Sequence, residues 1–321
     1  MKVKKLNPKD TSVYRELACR NGTIFNSMEW TDIFDGGIDL IGIYNKNDEL
    51  IGGFNLFKES RFGLSIYCNP PFTPAIGPFL KIEATNPVTV LDTWKKALSL
   101  IADFIDRLPY AVITYSFNKN VIDMQPFIWK KFKATPRYTY LINLSRAIED
   151  IWKRMSSERR KNVNKGEKDG LLVKKISDFE IIRTLVLQTF SRQKAKISEY
   201  YLKKILLQFS NSCNSFAFAT YKNNTPIACS FFVHDQDTAY YLLGGYDHEN
   251  SHHGAGALSM WQAIQYAKTL GLNCFDFEGS MIPEIEKYFR GFGGQLTPYY
   301  RINKANLPIE ILLKFFKREI F

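Results

Sequence analysis

Two carboxylates close to residue 277 are candidates for acid–base chemistry. Asp276 and Glu278 alternate with two phenylalanines where an apolar strand is predicted to end, so both would lie on one face of that strand. A carboxyl group half-buried beside aromatic rings has a raised pKa, and it can then accept a proton near neutral pH. The structural alternative is an acid that caps the following turn or pairs with Arg290. Tyr288 and Tyr246 are further candidates for carrying a proton.

A pair of glycines at a predicted helix start is a candidate anion site. Gly254 and Gly256 open a long helix, where the first N–H groups have no intrahelical acceptor and the helix dipole favours negative charge. Glycine lets phosphate oxygens approach these N–H groups closely, which suits a pyrophosphate. Glycine also occurs at helix starts for purely structural reasons, and that alternative stays open. The candidate cofactor-binding residues are Ser251, Gly254, Ala255, Gly256 and Ala257.

The segment from Lys153 to Lys175 is the most basic part of the chain. It contains nine Lys or Arg against three acidic residues, and so supplies +6 of the formal net charge of +11. Apolar residues recur on one face of the segment, so the basic side chains are predicted to project from an ordered helix. They form either a solvated helix face or a surface that binds anions. The candidate substrate- and anion-binding residues are Arg159, Arg160 and, outside this segment, Arg290.

The spacing of histidine and cysteine does not indicate a metal site or a cysteine nucleophile. His248 and His252 have the i, i+4 spacing that binds zinc on a helix, but the asparagine, serine and glycine around them favour a loop. The five cysteines are odd in number and never spaced as CxxC, which indicates reduced thiols. Cys229 and Cys274 lie in predicted apolar strands, where cysteine commonly acts as a small hydrophobic residue.

The elements that position these residues are predicted to occur twice. An antiparallel hairpin over residues 40–57 has a counterpart over residues 216–233, and in each half a helix and then a strand follow the hairpin. Two copies at a domain-sized separation indicate a duplicated domain rather than a solenoid. We therefore predict an N-terminal domain over residues 1–140 and a C-terminal domain, with the donor site, over residues 141–321.

Composition predicts a globular protein and leaves the partner open. The chain of 321 residues is 45% hydrophobic and 23% charged, which is unlike the composition of disordered proteins. No apolar run reaches the roughly 18 residues of a membrane-spanning helix, and no apolar run follows the N-terminal lysines, so we expect a cytoplasmic protein. The run Pro308–Phe321 would either pack on the body of the protein, which we favour, or contact an anionic membrane surface.

The glycine pair resembles the pyrophosphate motif of GNAT acyltransferases. That motif has the form Q/R-x-x-G-x-G/A and follows a central strand, and the glycines of Ser251–Gly256 match it, with serine in place of Gln or Arg. The blocks 275–280 and 289–294 resemble the closing part of FemAB-type aminoacyltransferases. Three further segments of this chain resemble elements of the same family: Phe25–Trp30, Ser157–Gly170 and the pair Gly244–Gly245.

This resemblance implies an α/β (α+β) fold of two tandem GNAT-like domains, each a mixed, mostly antiparallel sheet flanked by helices. It implies an N-acyltransferase that moves an acyl or aminoacyl group onto an amine, with a small-molecule or nucleotide-linked envelope precursor as acceptor. The donor substrate would be acyl-CoA or aminoacyl-tRNA, with no permanently bound cofactor. Glu278, Asp276 and Tyr288 are then the candidate catalytic residues. Many family members have a Phe-Lys pair before the final Phe-Gly of the closing block, whereas this chain has Phe289 in place of the lysine.

Two alternatives from other classes remain. One is an RNA-binding module that keeps the GNAT fold without its chemistry, which the basic segment and the aromatic content permit. No RNP-type motif supports this interpretation. The other is a structural protein that has lost its activity, in which replacement of Asp276 and Glu278 would leave biological function intact.

Overall fold

The chain divides into two compact units in the structure, a computed structural model that describes residues 1–316. Unit 1 comprises Met1–Arg137 and the segment that begins at Pro298, and unit 2 comprises Tyr138–Thr297. The sequence-based division at residue 140 assigned everything after it to the second domain, and so it differs from the structure for the segment after Thr297. The last five residues of the run Pro308–Phe321 lie outside the described residues.

The elements are regular and mostly short. In the first half of the chain they are β1 (Lys2–Lys5), α1 (Thr11–Asn21), α2 (Met28–Asp32), β2 (Ile38–Tyr44), β3 (Leu50–Arg61), β4 (Leu64–Cys68), β5 (Phe79–Leu80), α3 (Pro87–Asp106), β6 (Val112–Ser116), α4 (Gln125–Trp129) and β7 (Lys133–Asn143). In the second half they are α5 (Ile148–Arg154), α6 (Ser157–Lys168), β8 (Leu172–Lys175), α7 (Phe179–Arg192), α8 (Glu199–Lys204), β9 (Ser215–Lys222), β10 (Thr225–His234), β11 (Thr238–Tyr246), α9 (Ala255–Thr269), β12 (Cys274–Asp276), α10 (Pro283–Arg290), β13 (Gln295–Ala305) and α11 (Leu307–Phe316). Single helical turns of other types lie at Pro8–Asp10, Ile24–Asn26 and Ile205–Phe209. Among the helices of residues 1–316, none is long and apolar enough to cross a lipid bilayer.

The sheet of unit 1 is mixed and mostly antiparallel. Its strands lie in the order β1-β2-β3-β4-β6-β13, with β5 beside β3. Only β4 and β6 are parallel, and α3 connects them as a crossover helix. Asn86 caps α3 by accepting hydrogen bonds from the N–H groups of Val88 and Thr89, and Pro87 occupies the first helical position.

The sheet of unit 2 repeats this arrangement. Its strands lie in the order β7-β12-β11-β10-β9-β8, and only β11 and β12 are parallel, with α9 as the crossover helix. The two predicted hairpins are β2–β3 and β9–β10, and both are confirmed. The predicted fold class, two mixed and mostly antiparallel sheets flanked by helices, is confirmed as well.

The last strand of each repeat belongs to the other unit. β7 follows α4 of the first repeat, but Ile142 pairs with Phe275 of β12 in unit 2. β13 follows α10 of the second repeat, but Ile302 pairs with Tyr115 of β6 in unit 1. This exchange explains why the segment after Thr297 is part of unit 1.

Helix α9 is the central helix of unit 2. Nine of its residues are buried, in keeping with a sequence that is apolar around most of its circumference. Helix α6 packs against its N-terminus, and Ser156 caps α6 by accepting a hydrogen bond from the Arg159 N–H group at 3.1 Å. These two helices position the residues described next.

Candidate active site

Unit 2 contains a cavity of about 660 Å³. Its walls come from α6, α7, β10, β11, α9 and α10, and from the loop that precedes α9. Clefts of roughly 300–1,000 Å³ are typical of sites that bind small ligands. The cavity is therefore the candidate active site.

The cavity lies where two parallel strands cease to pair. β11 and β12 pair from Thr238 opposite Cys274 to Tyr240 opposite Asp276. β12 ends there, whereas β11 continues to Tyr246. The second half of β11 therefore has no partner strand on this side, and side chains of α10 line the space instead.

A β-bulge bends β11 beside the cavity. Phe231 lies opposite Leu243 and Phe232 lies opposite Tyr241, so Leu242 is an extra residue in the ladder. A bulge bends its strand and redirects the side chains around it. Tyr241, next to the bulge, lines the cavity.

The two glycines of β11 have different neighbours. A Cβ atom on Gly244 would lie 1.7 Å from the Tyr241 hydroxyl oxygen, so this glycine makes room for the tyrosine at the cavity wall. A Cβ atom on Gly245 would lie 2.6 Å from the backbone carbonyl carbon of Leu185, so this glycine lets α7 pack directly on the sheet.

The N-terminus of α9 faces the cavity through Gly256 and Ala257. A Cβ on Gly256 would lie 3.3 Å from the Tyr288 hydroxyl oxygen, and no other described atom outside α9 and the chain neighbours of Gly256 would lie within 4 Å. The N–H group of Ala255 is bonded to the His252 carbonyl oxygen at 3.0 Å. The N–H groups of Gly256 and Ala257 belong to the first turn and have no intrahelical acceptor. They form a positively polarised surface for an anion.

The other predicted cofactor-binding residues, Ser251, Gly254 and Ala255, do not line the cavity. A Cβ atom on Gly254 would lie 2.5 Å from the Asn162 carbonyl oxygen and 2.8 Å from the Gly166 Cα atom, so Gly254 permits the close packing of α6 on α9. Ala255 is buried, and its carbonyl oxygen accepts a hydrogen bond from the Thr220 hydroxyl at 2.9 Å. Ser251 is exposed. The predicted motif therefore divides into a packing part and a cavity-facing part.

His252 fixes the loop before α9. Its Nδ1 atom accepts a hydrogen bond from the Gly254 N–H group at 3.0 Å, and its Nε2 atom lies 3.0 Å from the Asp169 carboxylate of α6. This arrangement requires the proton on Nε2. The interaction with His252 lowers the pKa of Asp169 below its ordinary value. Within residues 1–316, no group of three or more His, Cys, Asp or Glu side chains is placed to hold a metal ion.

Tyr288 and Arg159 lie together in the cavity wall. Tyr288 is on α10, and burial raises the pKa of its hydroxyl to about 12, while the positive charge of Arg159 opposes that rise. The Arg159 guanidinium carbon lies 4.3 Å from the centroid of the Tyr288 ring. The arginine is itself only 7% exposed. Tyr288 is therefore protonated at neutral pH, and its role as a proton carrier stays a prediction.

The predicted pair of carboxylates does not line the cavity. Asp276 is buried and accepts hydrogen bonds from the Thr139 hydroxyl at 2.6 Å and from the Glu278 N–H group at 2.9 Å. Glu278 lies beyond the end of β12 in a left-handed conformation with φ of 57°. The two side chains therefore do not alternate along one strand, contrary to the prediction. Asp276 caps the turn that follows β12, as the structural alternative predicted. A catalytic role for either residue stays a prediction.

The other predicted arginines have local partners. The Arg160 guanidinium donates hydrogen bonds to the carbonyl oxygens of Lys153 at 2.9 Å and Met155 at 2.5 Å, and so caps the end of α5. Arg290 pairs with Glu286, one turn earlier on α10, at 2.9 Å. Neither arginine lines the cavity, whereas Arg159 does.

Sequence reasoning missed part of the cavity wall. Glu284, Lys287 and Tyr288 line it from one face of α10, and their i, i+3, i+4 spacing is a signal that could have identified this face. Glu158 and Cys229 also line it. Burial raises the pKa of the Cys229 thiol to about 12, so this thiol is not ionised at neutral pH.

The sequence was compared with known protein families. The model of the family described as acetyltransferase (GNAT) domain matches residues 153–290, which include most of the cavity wall. No curated protein sequence matches the chain.

Solved structures share the fold at low sequence identity. The crystal structure of FemX superposes with a TM-score of 0.65 and 13% identity, covering 98% of this chain and 100% of FemX. A C-terminal domain assigned to a lysylphosphatidylglycerol synthetase of Agrobacterium fabrum gives a TM-score of 0.60 and 12% identity, covering 97% of this chain and 96% of that one. The L-PGS of Bacillus licheniformis gives a TM-score of 0.55 and 12% identity, covering 99% of this chain and 98% of that one. At these identities the likeness establishes the fold.

Proposed function

Because residues 153–290 match the model of the GNAT acetyltransferase domain, we propose that the protein is an N-acyltransferase whose acyl donor binds at the N-terminus of α9. One observation carries this proposal. Gly256 leaves the N–H groups in the first turn of a long helix uncovered beside the Tyr288 hydroxyl, inside a ligand-sized cavity. An anion site at a helix N-terminus inside such a cavity suits the phosphates of an acyl carrier.

Acyl-CoA is the donor we favour. Its diphosphate would accept hydrogen bonds from the N–H groups of Gly256 and Ala257, and the dipole of α9 would favour its negative charge. GNAT domains typically take acyl-CoA, and the family match covers this part of the chain.

The proposed reaction is a direct transfer. The nitrogen of the acceptor amine attacks the thioester carbonyl carbon, and the C–N bond forms as the carbonyl electron pair moves onto oxygen. The intermediate collapses, the C–S bond breaks, and Tyr288 gives its hydroxyl proton to the departing sulfur. The amine loses a proton, for which Glu158 and Glu284 are the carboxylates that line the cavity. Proton return to the tyrosine oxygen completes the cycle.

Cys229 supports direct transfer over an acyl-enzyme. It is the one cysteine among the cavity-lining residues that the structure describes. Its thiol is 5% exposed, and burial raises its pKa to about 12, so little nucleophilic thiolate exists at neutral pH. We expect Cys229→Ser to keep acyl transfer.

The acceptor we propose is an amino group of a cell-envelope precursor. The FemAB resemblance supports this class, and the fold is shared with a domain assigned to a lysylphosphatidylglycerol synthetase. Aminoacyl-tRNA is the second candidate donor, because basic side chains on α5 and α6 are exposed. They are Lys153, Arg154, Lys161, Lys165 and Lys168.

Thermal unfolding with ligands tests the donor. A ligand that binds only the folded state raises the melting temperature, so we expect CoA and acetyl-CoA to stabilise the protein. Gly256→Asp places a carboxylate at the donor site and should abolish this shift. Asn47→Asp, which adds a carboxylate at an exposed turn of unit 1 with little change of side-chain shape, is the matched control. Equal shifts for Gly256→Asp and the wild type would contradict the proposed site.

A second arm separates the tRNA donor from acyl-CoA. If tRNA is the donor, deacylated tRNA should bind, and binding should weaken steeply with salt. Charge reversal at Lys161, Lys165 and Lys168 should then weaken tRNA binding while CoA binding stays unchanged. Tight tRNA binding with no transfer to any amine would favour the non-catalytic RNA-binding alternative.

A further inference from the structure

Arg159 is a buried charge without a carboxylate partner in the part of the chain that the structure describes. Its side chain lines the cavity and is 7% exposed, and its Nε atom is fully buried with no hydrogen-bond partner among residues 1–316. None of the described acidic side chains forms an ion pair with it. Burying an unpaired guanidinium is costly, so such a group needs compensation from its surroundings.

Aromatic rings provide part of that compensation and hold the guanidinium in place. Its central carbon lies 4.3 Å from the Tyr288 ring centroid and 5.3 Å from the Phe292 ring centroid. Gly291 leaves room for it, because a Cβ atom there would lie 3.2 Å from Nε. Stacking fixes the plane of the guanidinium and leaves its in-plane donors for a ligand.

The same tyrosine connects Arg159 to the N-terminus of α9. The ring of Tyr288 contacts the guanidinium, and its hydroxyl oxygen lies against the position of a Gly256 Cβ at 3.3 Å. Two kinds of anion donor, a planar guanidinium and free helix N–H groups, are thus placed around one side chain. Arginine binds two oxygens of a phosphate group at once, which a lysine does not.

We propose that Arg159 is a diphosphate-binding residue, which together with the first turn of α9 selects a ligand that carries two linked phosphates. This inference rests on the donor site proposed above and extends it by naming the residue that recognises the phosphates. The bound diphosphate neutralises the buried charge of Arg159. Two sources share this chemistry, the diphosphate of CoA and that of a nucleotide-linked acceptor.

The test is isothermal titration of the full chain with inorganic pyrophosphate. Arg159→Met keeps a long apolar side chain in the buried site and removes the charge, so pyrophosphate affinity should fall about 10- to 100-fold. Arg159→Lys should recover part of that loss, because the charge returns without the planar fork. The control Lys203→Met removes an exposed charge from α8, away from the cavity wall, and should change the affinity less than about twofold.

Competition identifies the source of the diphosphate. CoA, but not UDP-N-acetylglucosamine, should displace pyrophosphate if the donor carries it, and the reverse result would assign it to the acceptor. Arg159→Met with wild-type affinity for pyrophosphate and unchanged melting temperature would overturn the inference. If CoA binding is lost in Gly256→Asp but unaffected in Arg159→Met, the proposed acyltransferase function stands and the role of Arg159 fails. If pyrophosphate binds through Arg159 but no acyl transfer occurs, the role of Arg159 stands and the proposed function fails.

Discussion

Gly254 and Gly256 stand two residues apart in one motif and have different surroundings. Gly254 faces the backbone of α6, whereas among the described atoms outside α9 only the Tyr288 hydroxyl oxygen would lie within 4 Å of a Cβ on Gly256. The first glycine is required by helix packing, and the second leaves the N–H groups of the helix accessible. A side chain at each position should therefore have a different effect.

Alanine at these two positions separates stability from binding. We expect Gly254→Ala to destabilise the fold by about 1–3 kcal/mol, because its Cβ would overlap backbone atoms of α6. Gly256→Ala should leave the free energy of unfolding nearly unchanged and weaken CoA binding. Chemical denaturation and titration of each variant measure the two effects. Similar stability losses in both would contradict this assignment.

Tyr288 is the residue whose loss should affect the chemical step most. Tyr288→Phe removes the proposed proton donor and keeps the ring against Arg159, so the transfer rate should fall about 100-fold with little change in donor affinity. Because burial raises the pKa of Tyr288 to about 12, the wild-type rate should not decline through loss of this proton below about pH 10. Thiol release from acetyl-CoA, measured against pH, provides the test. Tyr266→Phe, outside the cavity wall, is the control.

The carboxylate of Glu286 connects helix α10 to the sheet of unit 2. Glu286 accepts hydrogen bonds from the Tyr140 hydroxyl of β7 and from Arg290, and these interactions lower the pKa of Glu286 below its ordinary value of 4.5. Because the pKa of Glu286 is lower in the folded state, its carboxylate stabilises the fold at pH values above the ordinary pKa. This stabilisation is lost as the pH falls through the folded-state pKa. The contact fixes the helix that carries Tyr288.

Glu286→Gln should therefore destabilise the protein only when the carboxylate is ionised. We expect a loss of about 0.5–1 kcal/mol at pH 7, since solvent screens this pair. The difference between wild type and variant should stay constant from about pH 6 to 8 and shrink below 4.5. Urea unfolding across this range is the measurement, and a difference that grows on acidification would refute the sign.

At the scale of the whole molecule, α11 presents apolar side chains to solvent. None of its described residues is buried, and Phe315 and Phe316 are 81% and 79% exposed. The favoured prediction that this run packs on the body of the protein is thus not supported by its described part. Exposed aromatic residues on a chain of net charge +11 suit an anionic membrane surface, the alternative left open by the sequence.

Serine at both positions tests this interpretation. Phe315→Ser with Phe316→Ser should leave the melting temperature unchanged, because neither ring contributes to a core. The same variant should lose sedimentation with vesicles of anionic phospholipid, which we expect for the wild type and not with neutral vesicles. Val88→Ser with Leu91→Ser, on exposed positions of α3, is the matched control. Equal sedimentation of all three proteins would exclude a role for α11 at membranes.

The sequence alone determined the elements and their duplicated order. The hairpins, the crossover helices and the acyltransferase resemblance follow from hydrophobic periodicity and short motifs, which are local properties of the chain. Tertiary structure decided which side chains share the cavity. Gly256 lines the cavity and Gly254 does not, and of the three predicted arginines only Arg159 lines it among the described residues. Asp276 caps a buried turn instead. Tertiary structure also assigned β13 to unit 1, because the pairing of Arg301 with Ser116 joins residues far apart in sequence, and no local pattern encodes such a contact.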